Sequence, residues 1–291
     1  MTEGLPSLPA LPPLPTIGGP VLRRLPPGGA RREWQRGEVV EVRRETATAH
    51  TLRLWLPDGH PHVPGQHYVV RVTAEDGSQA SRSYSVASAP EIPAAPAIPA
   101  APEIFAGPEP PSAAGGGRDR KGTHIELTVE RLEDGAVSPY LHDEVGVGDE
   151  VELRGPFGGW FVWRGDTPVL LVGGGSGVVP LMAMLRHWRL RVETVPLAMV
   201  VSVRSPGDLF YAGEYGPETT VVYTRVAPAG AERAPGRLDA AVLAPLVERL
   251  APAGAVGYVC GSAGFAEHAS QLLVDVGFDA GAVRVERFGP S

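Results

Sequence analysis

Four glycines fall within five residues in "LLVGGGSGVVP" (170–180): Gly173, Gly174, Gly175 and Gly177, with Ser176 between them. Glycine takes positive φ and lets a backbone approach a ligand closely. An apolar run precedes the cluster and a helical pattern follows it, so free amides at a helix start would face an anion, of which a diphosphate is the usual guest. The run is not GxGxxG, because Val178 holds the last glycine position, and no Gly-Lys-Ser/Thr follows. A second stretch, "RSYSVAS" (82–88), reads as a strand. Its alternation puts Arg82 and Tyr84 on one face and Ser83 and Ser85 on the other. An arginine takes phosphate bidentately, an aromatic stacks on a flat conjugated ring, and a hydroxyl bonds a ring heteroatom. That set suits a phosphorylated flavin. Cys260-Gly261-Ser262 ends a later apolar run and is expected to face the same crevice as the glycines, since ligands of open α/β sheets sit at strand carboxyl ends.

These residues need two kinds of scaffold. "EVVEVRR", "HTLRLWL", "HYVVRVT", "HIELTVE" and "GDEVELRG" alternate apolar and polar between Glu38 and Gly155, as half-buried strands do. No helix is expected among them, and closely spaced antiparallel strands predict a small barrel, here of six strands. After Asp166, "PVLLV", "LAMVVSV", "TTVVYT" and "VGYVC" are nearly continuous apolar runs, the pattern of parallel strands buried on both faces. Helical segments are expected at 177–189, 208–215, 238–250 and 262–276. Strand–helix alternation predicts a doubly wound α/β layer. The predicted organisation is a Pro-rich disordered tail over 1–32, a barrel over 33–165, a disordered Pro/Ala-rich insertion at about 90–122, and an α/β domain over 166–291.

Bulk properties narrow the function. The chain has 291 residues and a net charge of −7, which argues against nucleic-acid binding. One cysteine, Cys260, excludes a thiolate-held zinc site, an iron–sulfur cluster and an intrachain disulfide. The expected location is cytoplasmic, with no membrane segment: the longest uncharged stretch, 167–185, has four glycines and a proline in its middle. His50, His60, His62 and His67 are scattered over strand and loop, and no metal site is expected.

Taken in order, "PGQ" (64–66), "RSYS" (82–85), "DGAVSPYL" (134–141), "GPFG" (155–158), "GGGSGVVP" (173–180), "CGSAGF" (260–265) and "ERF" (286–288) resemble the ferredoxin–NADP+ reductase superfamily, most closely its bacterial oxygenase-reductase-like branch without an iron–sulfur domain. The resemblance runs from about Trp34 to the C-terminus, apart from the insertion. It implies an N-terminal flavin-binding barrel and a C-terminal NADP-binding domain. Arg82 would bind the flavin pyrophosphate, Tyr84 pack on the isoalloxazine, and Ser83 and Ser85 flank it, with Ser85 near N5. Gly135, Val137 and Ser138 would line the flavin phosphate. Gly173 to Gly177 would cradle the dinucleotide, and Cys260 and Gly261 would lie beside the nicotinamide. Glu286 and Phe288 match the Glu-x-aromatic terminus, although Gly289-Pro290-Ser291 follow it here.

The implied activity is an NAD(P)H-dependent flavoprotein reductase. It would pass hydride from NADPH to bound FAD, then single electrons to a separate acceptor: a ferredoxin, a haem or molybdenum protein, or a small oxidant. FMN stays open beside FAD, because the insertion falls where relatives touch the adenine half. Arg204, Arg225 and Arg237 lie near the ends of the second and third parallel strands, where arginines take a 2′-phosphate, so NADPH is expected over NADH. A local patch of Arg186, Arg189 and Arg191 would dock an acidic partner. A monomer is expected. The alternatives are a free-flavin or ferric-chelate reductase, and a non-catalytic redox-sensing module.

Overall fold

A computed structural model describes residues 33–74, 76–90, 122–191 and 194–289. The expected tail over 1–32 and nearly all of the expected insertion lie outside these residues.

Six strands form the first sheet: β1 (Gln35–Arg44), β2 (Ala49–Leu56), β3 (His67–Thr73), β4 (Gln79–Ser85), β5 (Thr123–Glu130) and β6 (Glu150–Phe157). Their order is β4-β3-β6-β1-β2-β5, with every pairing antiparallel. The two edges meet where Val86, just past β4, bridges Leu127 of β5, so the sheet closes into a barrel. The period-2 pattern of the sequence sends Leu52, Leu54, Leu56, Ile125, Leu127, Val129 and Leu153 inward. One helix, α1 (Val137–Asp143), interrupts the strands, contrary to expectation. It is seven residues long, and only Val137 and Leu141, one turn apart, anchor it in the barrel core.

The second sheet holds β7 (Val169–Gly174), β8 (Leu197–Val203), β9 (Thr219–Tyr223), β10 (Val256–Ser262) and β11 (Val283–Phe288), all parallel, in the order β11-β10-β7-β8-β9. Alternate residues of the apolar runs enter two cores. Leu171, Met199, Val201 and Cys260 face α2 (Val178–Leu190). Leu170, Val172, Ala198, Val200 and Val259 face α3 (Ala240–Leu250) and α4 (Ala263–Asp275). This is the doubly wound layer expected from continuous apolar strands.

The segment expected as a helix at 208–215 is not one. It holds a single 3₁₀ turn, Pro206–Asp208, and then Tyr211 at φ 55, buried. The Tyr211 amide donates to Glu45 Oε2 at 3.1 Å, and its hydroxyl bonds Thr128 Oγ1. Both partners are barrel residues, so tertiary bonds override local helix propensity.

Between β6 and β7 the chain crosses from one sheet to the other, and it is tightly held. The Tyr258 hydroxyl donates to Val162 O at 2.6 Å, Trp163 Nε1 donates to Thr167 O at 3.0 Å, and Phe161 meets Tyr258 edge-on at 5.2 Å. Gly65 packs beneath this crossing at φ +93, where an added Cβ would stand 1.8 Å from Phe161 O. Gly65→Ala combines left-handed strain with overpacking and is expected to cost about 2–4 kcal/mol. The urea midpoint measures it; a shift smaller than that of an exposed Gly77→Ala control would contradict the account.

Candidate functional site

The glycine turn is built by contact. β7 delivers Gly173 and Gly174, a 3₁₀ turn spans Gly175–Gly177, and α2 starts at Val178. A Cβ on Gly174 would fall 2.6 Å from the Phe265 ring, and one on Gly177 would fall 2.2 Å from Cys260 O. Gly173 is pressed against Val178 and Leu181. Gly175 differs: it sits at φ +56, and nothing lies within 4 Å of a Cβ built there. Three glycines therefore let β7, β10 and α4 close up, while the fourth turns open backbone outward at the start of α2. That arrangement fits an anion cradle.

β10 carries Cys260 between two partners in register: Gly173 of β7 on one side and Glu286 of β11 on the other. The Cys260 thiol is fully buried, and its pKa is pushed well above the usual range, first by burial and then by the Glu286 carboxylate. Glu286 Oε2 is buried without a hydrogen-bond partner. Burial pushes the Glu286 pKa up to about 7. Phe288 pairs in register with Ser262 and packs on the apolar cluster that contains Cys260, Val178 and Ala87.

On the barrel side three motifs meet. In the β3–β4 register Arg82 lies opposite Val70, Tyr84 opposite Tyr68 and Ser85 opposite His67. His67 also faces Phe157 across β6. The Val86 amide donates to Gln66 O at 2.9 Å, and Gln66 Nε2 donates to Gly158 O at 2.8 Å. "PGQ", "RSYS" and "GPFG" are thus one hydrogen-bonded corner. Tyr84 is half-buried against the barrel core. Its hydroxyl pKa is pushed up to about 12 by burial, with Arg82 pulling the other way. Ser85 is buried, whereas Arg82 and Ser83 are exposed, and Arg82 Nη1 donates to Ser81 O at 2.9 Å. The two serines of one strand face therefore stand in different surroundings: Ser83 in solvent, Ser85 near the seam.

Just past the end of β4, Ala87 belongs to the same buried cluster as Val178 and Val179 of α2 and Cys260 of β10, and its carbonyl accepts from Arg186 of α2 at 2.9 Å. The Gly135–Ser138 segment lies at the start of α1, which packs against β3, β4 and β5. Val137 is buried, and the Ser138 hydroxyl accepts from the Leu132 amide at 3.1 Å. Across the other sheet, the Arg225 amide donates to Arg204 O at 3.0 Å, and the Gly236 amide to Tyr223 O at 2.9 Å. The backbones of Arg204, Arg225 and Arg237 thus gather at the carboxyl ends of β8 and β9. All three side chains are exposed, and among the described residues none makes an ion pair.

Of the expected docking patch, Arg189 and Arg191 are exposed, whereas Arg186 is not free. Arg186 is turned inward onto Glu126 and Glu214, Arg189 pairs with Glu218, and Arg191 reaches Arg164 O at 3.4 Å. Two residues of this site carried no assignment from sequence: Phe265, inside the quoted "CGSAGF", and Gln66, inside "PGQ". Among the described residues, no three His, Cys, Asp or Glu side chains group as metal ligands, and no helix is long and apolar enough to cross a membrane.

Residues 171–271 match the family model described as an oxidoreductase NAD-binding domain. The propane 2-monooxygenase reductase component of Rhodococcus jostii is 27% identical over 190 residues, covering 64% of this chain and 43% of that protein. The ferredoxin–NAD(P)+ reductase component of naphthalene dioxygenase and salicylate hydroxylase systems from Ralstonia is 26% identical over 266 residues, covering 88% of this chain and 69% of that protein. The chain thus spans under half of the first relative's length. Among solved structures, the flavohem-like FAD/NAD-binding domain of a Vibrio cholerae nitric oxide dioxygenase superposes with TM-score 0.66 at 24% identity, covering 88% of this chain and 99% of that domain. The last comparison shows the two-sheet fold.

The carboxyl of Glu286 makes native stability depend on pH. Its folded pKa of about 7 lies above the ordinary 4.5, so the native state binds more protons than the unfolded one between those values. Stability contributed by this group is therefore full below about pH 4.5 and falls as pH rises towards 7. In cofactor-free protein, Glu286→Gln is expected to leave the urea midpoint near wild type at pH 5 and to raise it at pH 8. A midpoint at pH 8 equal to or below wild type would show that the carboxylate is not destabilising there.

Proposed function

We propose that this chain, a member of the ferredoxin–NADP+ reductase superfamily, is an NAD(P)H-dependent flavoprotein reductase that delivers electrons to a separate redox protein. The single observation that carries this reading is the seam itself: Ala87, two residues past the end of β4, shares one buried cluster with Val178, which follows the Gly173–Gly177 turn, and with Cys260, the register partner of Glu286. We assign the flavin-binding domain to 33–165 and the nucleotide-binding domain to 166–291.

Two groups must be bound, and the residues present fit them. An open glycine turn at a helix start suits a diphosphate. Tyr84, half-buried with an aromatic face, and Ser85, buried beside it, suit a flat ring, while exposed Arg82 can swing from Ser81 O to a phosphate. When bound, a nicotinamide and a flavin would supply hydride and one-electron transfer. The chain's own work is orientation and exclusion of water. Gly135, Val137 and Ser138 bind the flavin phosphate. Phe288 covers the ring site from the end of β11. Cys260 keeps a neutral thiol in the nicotinamide pocket, and Glu286 holds a proton at its carboxyl near neutral pH.

The nucleotide is NADPH. Three exposed, unpaired arginines around the β8 and β9 ends form a site for a 2′-phosphate. FAD is favoured over FMN by the chain's likeness to the FAD/NAD-binding fold. The electron acceptor is a redox protein of the kind that the names of the oxygenase-system relatives imply, a ferredoxin or an oxygenase component.

The visible spectrum of the purified protein, with FAD reconstituted if needed, tests this reading. Expected are flavin bands near the blue and their bleaching by anaerobic NADPH; a protein that takes up no flavin would end it. Arg204→Ala and Arg225→Ala are each expected to raise KM for NADPH about 10-fold or more, the loss of a charge-assisted bond, while leaving KM for NADH within about 2-fold. A wild-type preference for NADH would overturn the cofactor assignment alone, and turnover only with added free flavin would move the reading to a flavin reductase.

A further inference from the structure

Arg186 carries more polar contacts than any other side chain on α2. Its Nε donates to Glu214 Oε2 at 2.8 Å and its Nη2 to Glu214 Oε1 at 2.5 Å, a bidentate pair. Its Nη1 donates to Glu126 Oε2 at 2.8 Å and to Ala87 O at 2.9 Å. The guanidinium carbon also lies 5.0 Å from the Tyr211 ring centre. These partners come from three places: Glu126 from β5, Ala87 from just past β4, and Glu214 and Tyr211 from the loop after β8.

Ala87 is held on both sides, since its amide donates to Glu126 O at 2.8 Å while its carbonyl accepts from Arg186. It follows Ser85 by two residues of extended chain, about 7 Å. Arg186 follows Val178, the first residue of α2, by eight residues, about 12 Å of helix. One planar guanidinium therefore joins two short, stiff arms, one ending at Ser85 and the other at the glycine turn. A tilt of about 5° over a 12 Å arm moves its end by about 1 Å, a displacement that can cost on the order of 100-fold in rate when two reacting groups must be aligned. Buried ion pairs add little net stability compared with well-packed apolar groups. Their fixed, directional bonds instead select one arrangement of the elements they join.

We propose that Arg186 is a positioning residue that sets the register of the barrel against the α/β layer, and so sets the alignment of the flavin ring with the nicotinamide. The inference about alignment rests on the proposed function; the inference about register does not. Arg186 touches neither ring site. It acts through Ala87 on one side and through α2 on the other.

The test uses full-length protein without flavin, then the same protein loaded. Nitroxide labels at Asp58→Cys in the barrel and Glu267→Cys on α4, both exposed, report the distance between the two layers by pulsed electron resonance. The only native cysteine, Cys260, is buried away from the label. Expected are a narrow distribution for the parent, a broadened or shifted one for Arg186→Met, and an intermediate one for Arg186→Lys, which keeps the charge but loses the fork. In loaded protein, the rate of flavin reduction at saturating NADPH is expected to fall about 10- to 100-fold in Arg186→Met, with nucleotide affinity within about 3-fold of the parent and the long-wavelength charge-transfer absorbance of the complex weakened. Distributions that superimpose on the parent overturn the proposal. So does broadening with an unchanged reduction rate, which would leave Arg186 a structural clamp only. If Arg186→Met does not fold, Glu214→Gln, which removes one charge and one of the two acceptors of the fork and leaves the barrel contacts, decides on the same two readouts. A parent that binds no flavin would sink the proposed function, while the label distances would still decide the register.

Discussion

A buried guanidinium tolerates few arrangements. Each donor of Arg186 that loses its partner leaves charge uncompensated in the interior, and breaking such a set is far costlier than never having built it. Its partners come from β5, the end of β4 and the loop after β8, so all of them must be in place together. The network spreads from there. Glu126 also accepts from Arg43 Nη2 at 3.3 Å, Arg43 Nε donates to Glu45 Oε1 at 3.0 Å, and Glu45 takes the Tyr211 amide. The left-handed Tyr211 costs about 1–2 kcal/mol for an L residue, and its two bonds to the barrel hold it there. What looks like two separate sheets is thus one structure, with its least forgiving chemistry at the seam.

The same seam explains the choice of small residues around the Gly173–Gly177 turn. Gly174 and Gly261 lie beneath Phe265, and Gly177 lies against Cys260 O, so a side chain at Gly174 or Gly177 would push β7, α2 and β10 apart. Close approach of these elements brings Cys260 and Glu286 into the interior, where solvent no longer screens them. Burial raises both pKa values, and the Glu286 carboxylate adds to the cost of ionising Cys260. The result is a proton-rich pocket: a neutral thiol beside a carboxyl that stays partly protonated at neutral pH.

Much of this was legible in the sequence, and the exceptions have common causes. Continuous apolar runs mark β7, β8, β9 and β10, because strands buried on both faces have no polar side to show. β11, "VRVERF", reads less clearly, since an edge strand is paired on one side only and carries charges on the other. α1 is too short for a helical period to appear in seven residues; Val137 and Leu141 reveal it only once the barrel core is known. The expected helix at 208–215 has suitable local residues, yet its fate is set by Glu45 and Thr128, more than 80 positions away in sequence. Arg186 shows the limit most plainly. In sequence it is one arginine near the end of the helix expected at 177–189, and it reads as a surface docking charge. Its carboxylate partners lie 60 and 28 positions away and meet it only in the folded chain.

Pairing separates structural arginines from those available to a ligand. With a net charge of −7, carboxylates outnumber cations, so an arginine left without one is not short of candidates. Arg36, Arg43, Arg71, Arg131, Arg186, Arg189 and Arg233 all find an acid. Arg154 and Arg284 are occupied by Trp34 and by carbonyls of the sheet crossing. A single unpaired arginine on a helix, such as Arg249, says nothing, because solvent satisfies it. Arg204, Arg225 and Arg237 differ in being three such charges whose backbones are bonded around one pair of strand ends. That is the arrangement on which the proposed 2′-phosphate site rests.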